Sequence, residues 1–237
     1  MILPGLGVGM IADFTALDLV ALGWFVLLWL GYANLVDRPL WGRPNLNRAM
    51  QARRVDWMRE MARRENRMPD VVLIGHLMQS VAFFASATMI VVAALLGALG
   101  AVDQIRGAVE GLHFAAPAAR AAWQAKILIM VALFVYSFFK FSWSLRQWNY
   151  CCVLIGSTPP APLPDAEREA IGERLGAVAS GAAVNFNGGL RAYYFALAML
   201  AWFVNPWAFM AASLLVLAVL ARRQFFSESA RAIAPPA

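Results

Sequence analysis

The chain has 237 residues, of which 61% are hydrophobic and only 14% charged, with a formal net charge of +6. Soluble domains carry roughly 45–50% apolar and about 25% charged residues, so this balance excludes an ordinary soluble enzyme, a disordered chain and a disulfide scaffold, and implies an all-α, polytopic transmembrane helical bundle. Eighteen of the 20 basic residues are Arg, and nine of these lie between Arg38 and Arg67. A basic block beside an apolar run reads as a topology signal of the bacterial inner (plasma) membrane, and no nucleic-acid partner is expected, because no groove-reading or base-stacking module accompanies it.

The first apolar run, residues 14–36, is long enough to cross a ~30 Å hydrocarbon core as a helix. No basic residue precedes Arg38, so the positive region of a cleavable signal peptide is missing and this span is expected to stay attached. Gly5-Leu-Gly7-Val-Gly9 lacks a preceding strand and reads as a flexible terminus, not a nucleotide loop.

Residues 38–70 form a basic cytoplasmic segment. Met50, Trp57, Met61 and Met68 recur at helical spacing while Arg53, Arg59, Arg63 and Arg67 take other faces. Such an amphipathic helix suits the surface of an anionic bilayer, with Arg53, Trp57, Arg59, Arg63 and Arg67 as its lipid contacts.

A second span occupies residues 71–99 and a third runs from Trp123 through Ile127 to Phe139. Lys126 and Lys140 lie about 21 Å apart on a helix, which places them to snorkel to opposite interfaces. Between the two spans, residues 100–122 read as an outer interfacial loop or helix with Ile105, Val109 and Leu112 on one face. After the third span, residues 157–183 comprise a Pro-rich connector, an N-cap at Asp165 and a cytoplasmic helix. Gly172, Gly176 and Ser180 fall at i, i+4 and i+8 on this helix, and Ala93 and Gly97 repeat the pattern in the second span, so close helix packing is expected at both.

The last apolar region, residues 190–221, would be ~48 Å long as one helix, well beyond a bilayer core. Asn205-Pro206 is a turn signal, with Trp202 and Trp207 placed as an interfacial belt. As one span, with the N-terminus outside, the region leaves Arg106, Arg120, Lys126, Arg222, Arg223 and Arg231 outside; as two it brings the last three in. Five spans, N-terminus outside and C-terminus cytoplasmic, satisfy the charge rule better. Four spans ending in a long Pro-kinked helix are the alternative. The 237 residues form a single membrane domain on either reading.

Chemistry is sparsely marked. The two histidines, His76 and His113, fall on opposite sides of the membrane and cannot share a haem or metal; no cofactor is expected. Asp70, His76 and Ser80 invite a triad, but stacking along one helix does not assemble one. Cys151 and Cys152 are adjacent, do not form a Cys-x-x-Cys motif, and read as packing residues. One constellation stands out. Asp70, His76, Lys140, Arg146, Asn149, Asn185, Asn187 and Arg191 all fall near the cytoplasmic ends of spans, where they would line a cavity, with Asn187-Gly188-Gly189 unwinding a helix there.

Four stretches carry a family resemblance: Arg53-Arg-Val-Asp-Trp-Met-Arg-Glu-Met-Ala-Arg-Arg-Glu-Asn-Arg67, Phe83-Phe-Ala-Ser-Ala-Thr88, Phe141-Ser-Trp-Ser-Leu-Arg-Gln-Trp-Asn-Tyr150 and Asn185-Phe-Asn-Gly-Gly-Leu-Arg-Ala-Tyr-Tyr-Phe195. Together they resemble the integral-membrane family catalogued as domain of unknown function 599, over most of the chain to about Phe226. The resemblance implies a membrane fold and carries no activity. Three functions stay open: a non-enzymatic accessory or scaffold component that oligomerises or binds a membrane partner, a small-solute or ion transporter using the polar cluster, and an intramembrane lipid-modifying enzyme. The first has the most support from the sequence, since no catalytic motif is present.

Overall fold

A computed structural model describes residues 14–37, 46–111, 116, 118–225 and 233. The Gly-rich terminus, Arg38, Leu112, His113 and Arg231 lie outside the described residues. The chain is a helical bundle with no strand among the described residues. Its helices are α1 (Ala16–Asp37), α2 (Leu46–Arg63), α3 (Met68–Gly100), α4 (Val102–Glu110), α5 (Arg120–Gly156), α6 (Asp165–Ala198) and α7 (Pro206–Phe225), with a 3₁₀ turn at Met199–Phe203 before α7. Four of them, α1, α3, α5 and α7, are long and apolar enough to cross a membrane. Contacts divide the molecule into two compact units, to both of which α3, α5 and α6 contribute.

The first unit joins α1, the end of α3, α4, the start of α5, the end of α6 and α7. Its core is aromatic: Phe25 meets Phe195 edge-on at 5.7 Å and Phe209 at 5.2 Å. Phe195 and Phe209 lie seven residues either side of Trp202, so their meeting on one ring shows that the chain reverses there. The Asn205-Pro206 turn is therefore real, and a continuous kinked helix over this region is ruled out. Its local cause is a cap: Asn205 Oδ1 accepts the Trp207 N–H at 2.8 Å and the Asn205 carbonyl accepts the Phe209 N–H, while Pro206 occupies the first helical position, where no donor is needed. The two tryptophans expected to form the belt differ in exposure. Trp207 is exposed, but Trp202 is buried, because its indole N–H is bound inside the unit.

The second unit contains α2, the first half of α3, the second half of α5 and the first half of α6. Asn47 bonds Asn187, Val55 lies on Gly176 and Arg59 on Gly172, so α2 runs antiparallel along α6. A Cβ at Gly176 would sit 2.8 Å from Val55 Cα, and one at Gly172 would sit 3.2 Å from the Arg59 backbone nitrogen. The small-residue spacing on α6 thus lets two backbones approach. Within the chain no helix packs on Gly97 in this way: open space surrounds the position of a Cβ.

Three further expectations are corrected. On the apolar side of α2, Met61 is buried against protein together with Met58, where Ile74, Trp148 and Leu175 complete the cluster, while Met50 and Trp57 remain half-buried. Asn187-Gly188-Gly189 does not unwind; α6 is continuous through it, and Gly189 instead admits the Phe141 ring, whose Cε1 would lie 2.6 Å from an added Cβ. Asp165 falls inside the first turn of α6, and the Pro164 carbonyl takes the first helical hydrogen bond.

Candidate functional site

The polar residues expected to form one cavity separate into small groups, all within the second unit except Arg191, which falls in the first. Asp70 is fully buried in the first turn of α3, where the helix dipole favours a carboxylate. Its Oδ1 accepts the Trp57 indole N–H at 2.8 Å and an Arg64 guanidinium N–H at 2.6 Å, tying α2 and the following loop to α3. Arg67 continues the same tie, donating to the Thr158 and Pro159 carbonyls of the Pro-rich connector. Asp70→Ala removes two hydrogen bonds to a charged group, each contributing about 1.5–3 kcal/mol, and is expected to lower the unfolding midpoint in detergent and expose Trp57 to a fluorescence quencher. An unchanged midpoint would show that Asp70 does not hold this corner.

Lys140 and Asn185 are brought together, the ammonium donating to Asn185 Oδ1 at 3.2 Å. The Asn185 amide in turn donates to Gln147 Oε1 at 2.7 Å, a partner that the spacing of charged and Asn residues does not disclose. Asn187 pairs with Asn47 of α2. His76, Arg146 and Asn149 are exposed, and Arg191 is half-buried one turn beyond Asn187. No triad forms: the His76 ring is exposed, Ser80 donates to the His76 backbone carbonyl at 3.2 Å, and Asp70 is engaged elsewhere. Among the described residues no three His, Cys, Asp or Glu side chains converge as a metal site would require.

Of the residues expected to touch lipid, Arg59 is paired with Glu169 and Asp56, Arg63 with Glu60, and Arg67 with the connector carbonyls. The Glu169 and Asp56 carboxylates hold the Arg59 guanidinium above its ordinary pKa. Arg53 is mostly exposed, with a long 3.7 Å contact to Asp56 as its one ion pair among the described residues. Its neighbour Arg54 is half-buried, and burial pushes its pKa down. Arg53, Arg54 and Trp57 of α2 line a cavity of about 260 Å³ together with Leu77 and Ser80 of α3, Trp148 of α5, and Ala183, Phe186 and Asn187 of α6.

The first unit holds a site that no motif marks. Asp18 and Lys126 are 3% exposed each, and Lys126 Nζ lies 3.0 Å from Asp18 Oδ1. Trp202 Nε1 donates to the same oxygen at 2.7 Å, and the Thr15 hydroxyl and backbone N–H donate to Oδ2 at 2.6 and 3.2 Å. Lys126 also donates to the Trp202 carbonyl and lies 5.0 Å from the Trp202 ring centre. The snorkelling expected of Lys126 therefore does not occur, since a carboxylate, a carbonyl and a ring face satisfy it within the protein. The available signal was a lone acid in one apolar run and a lone amine in another, which membrane burial obliges to pair.

No curated protein and no solved structure matches this chain. The family model described as Protein of unknown function, DUF599, matches residues 20–229. That span includes the Arg-rich helix α2, the Lys140–Asn185 pair and the Asn205-Pro206 turn, and the chain accordingly belongs to the DUF599 family of membrane proteins.

Proposed function

We propose that this protein is a non-enzymatic component of the bacterial inner membrane that works by assembling with itself or with a membrane-protein partner, its basic helix α2 at an anionic cytoplasmic surface. The observation that carries this reading is the use made of the polar side chains. Ser137 donates to the Gly189 carbonyl at 2.8 Å and Ser144 to the Ala182 carbonyl at 2.7 Å, while Lys140, Asn185 and Gln147 bond one another. These groups join α5 to α6, which is the work of interhelical glue and not of a permeation path.

Five spans with the N-terminus outside are part of the same reading. Asp18 near the start of α1, Lys126 in the second turn of α5 and Phe209 in the first turn of α7 all meet Trp202 within the first unit, as they would if α1, α5 and α7 entered the membrane from one face. The nine basic residues between Arg38 and Arg67 would then be cytoplasmic.

Gentle detergent extraction of the full chain, followed by native mass measurement, is expected to yield a homo-oligomer or a stoichiometric partner complex. Reporter fusions are expected to place the C-terminus in the cytoplasm. A monomer carrying a transported solute overturns the assembly reading; a C-terminus outside overturns the topology.

A further inference from the structure

We propose that the cavity between α2, α3, α5 and α6 in the second unit is a binding site for one anionic phospholipid, its phosphate on Arg53 and Arg54 and the first part of an acyl chain among Trp57, Leu77, Trp148 and Phe186. Three observations support this. The first is charge: α2 carries five arginines against Asp56 and Glu60, and Arg54, half-buried, has neither ion pair nor hydrogen bond among the described residues. A guanidinium removed from water in this way is favoured by an anion that arrives with its own phosphate oxygens.

The second is the character of the walls. Apart from the arginines, Ser80 and Asn187, the cavity is lined by apolar side chains, so that cationic and apolar groups border the same space, as the two parts of an amphiphile require. At about 260 Å³ it is close to the lower limit of small-molecule sites, roughly 300–1,000 Å³, and so fits a headgroup and the start of one chain, leaving the rest in the bilayer. The third is depth. α3 is about 50 Å long and a hydrocarbon core about 30 Å thick, so one end must project. Its more polar end, with His76, Gln79 and Ser80, is the end that lines the cavity, which sets Leu77 and Ser80 near the level where headgroups meet chains.

The site rests on the reading of α2 at an anionic membrane surface, and the two can fail separately: the reporter fusions test the face, whereas lipid stoichiometry tests the cavity. The full chain, delipidated in detergent, is titrated with phosphatidylglycerol or phosphatidylcholine and followed by native mass spectrometry. The expected result is one phosphatidylglycerol per chain, preferred at least tenfold over phosphatidylcholine, with Arg54→Gln weakening it at least fivefold at an unchanged melting temperature. Ala183→Leu, which fills the cavity and leaves the charge, is expected to weaken it as much and decides the matter if Arg54→Gln does not fold. Equal retention of both lipids, or binding indifferent to Ala183→Leu, overturns the site. Displacement of the lipid by equimolar sodium phosphate or palmitate overturns it as well, since a free anion would then suffice.

Discussion

Asp18→Asn is expected to lower the stability of the full chain by about 3–5 kcal/mol, the effect of leaving a buried cation without its counter-charge. Lys126 would retain only the Trp202 carbonyl and ring face, and the new amide would turn donors toward a site already supplied with Trp202 Nε1–H and the Thr15 hydroxyl. Lys126→Met is expected to cost less, because Asp18 still accepts from Trp202 Nε1 and from both Thr15 donors. The order of the two variants is the diagnostic point: a generic packing defect would make the loss of the longer Lys side chain the worse one. The pairing Asp18→Leu with Lys126→Met removes both charges and is expected to recover much of the loss, since apolar replacement of a buried ion pair is often neutral. Unfolding of Asp18→Leu, Lys126→Met and the two together in one detergent closes a double-mutant cycle and gives the coupling. A coupling near zero would mean that the pair does not hold α1 against α5.

The helices themselves were legible from the sequence because each rests on a local signal. Asn205-Pro206 carries its own cap and its own helix start, so the turn could be read without any knowledge of what packs around it. The Arg-rich segment showed its helical period for the same reason, although the helix ends at Arg63 and not near Met68. What α2 packs against was not legible. An apolar face at helical spacing is equally suited to lipid and to protein, and only the antiparallel placement on Gly172 and Gly176 decides that Met58 and Met61 face protein.

The candidate site divides in the same way. Lys140 could be placed near Asn185 from the sequence because both are expected at the same ends of successive helices, and a hydrogen bond joins them. Gln147 escapes a reading that picks out Asn149, Asn185 and Asn187, because nothing in the sequence shows that its side of α5 faces α6; in the packed unit it accepts from Asn185 and lies against Gly181. Asp18 and Lys126 are 108 residues apart in sequence, and each taken alone reads as an interfacial residue at a helix start. Only their common burial identifies them as a pair, and that is a property of the packed unit.

Gly176→Leu is expected to destabilise the chain by about 3 kcal/mol, at the upper end of the range for overpacking. The neighbour at fault is backbone: Val55 Cα would lie 2.8 Å from the first added atom, so α2 must move off α6 and cannot simply turn a side chain aside. Displacing α2 also strains the Asn47–Asn187 and Arg59–Glu169 links along the same interface, and Val55→Ala should restore only the part of the loss owed to the Val55 methyl groups. Gly97→Ala provides the opposite expectation from the same residue type. Open space surrounds that position within α3, so the substitution should stabilise the helix by roughly 0.5–1 kcal/mol through reduced backbone entropy in the unfolded chain. Parallel unfolding curves for the two variants separate the causes. If Gly176→Leu were tolerated as well as Gly97→Ala, α2 would not be held on α6 by close backbone approach, and the cavity that α2 helps to wall would lose its geometric support.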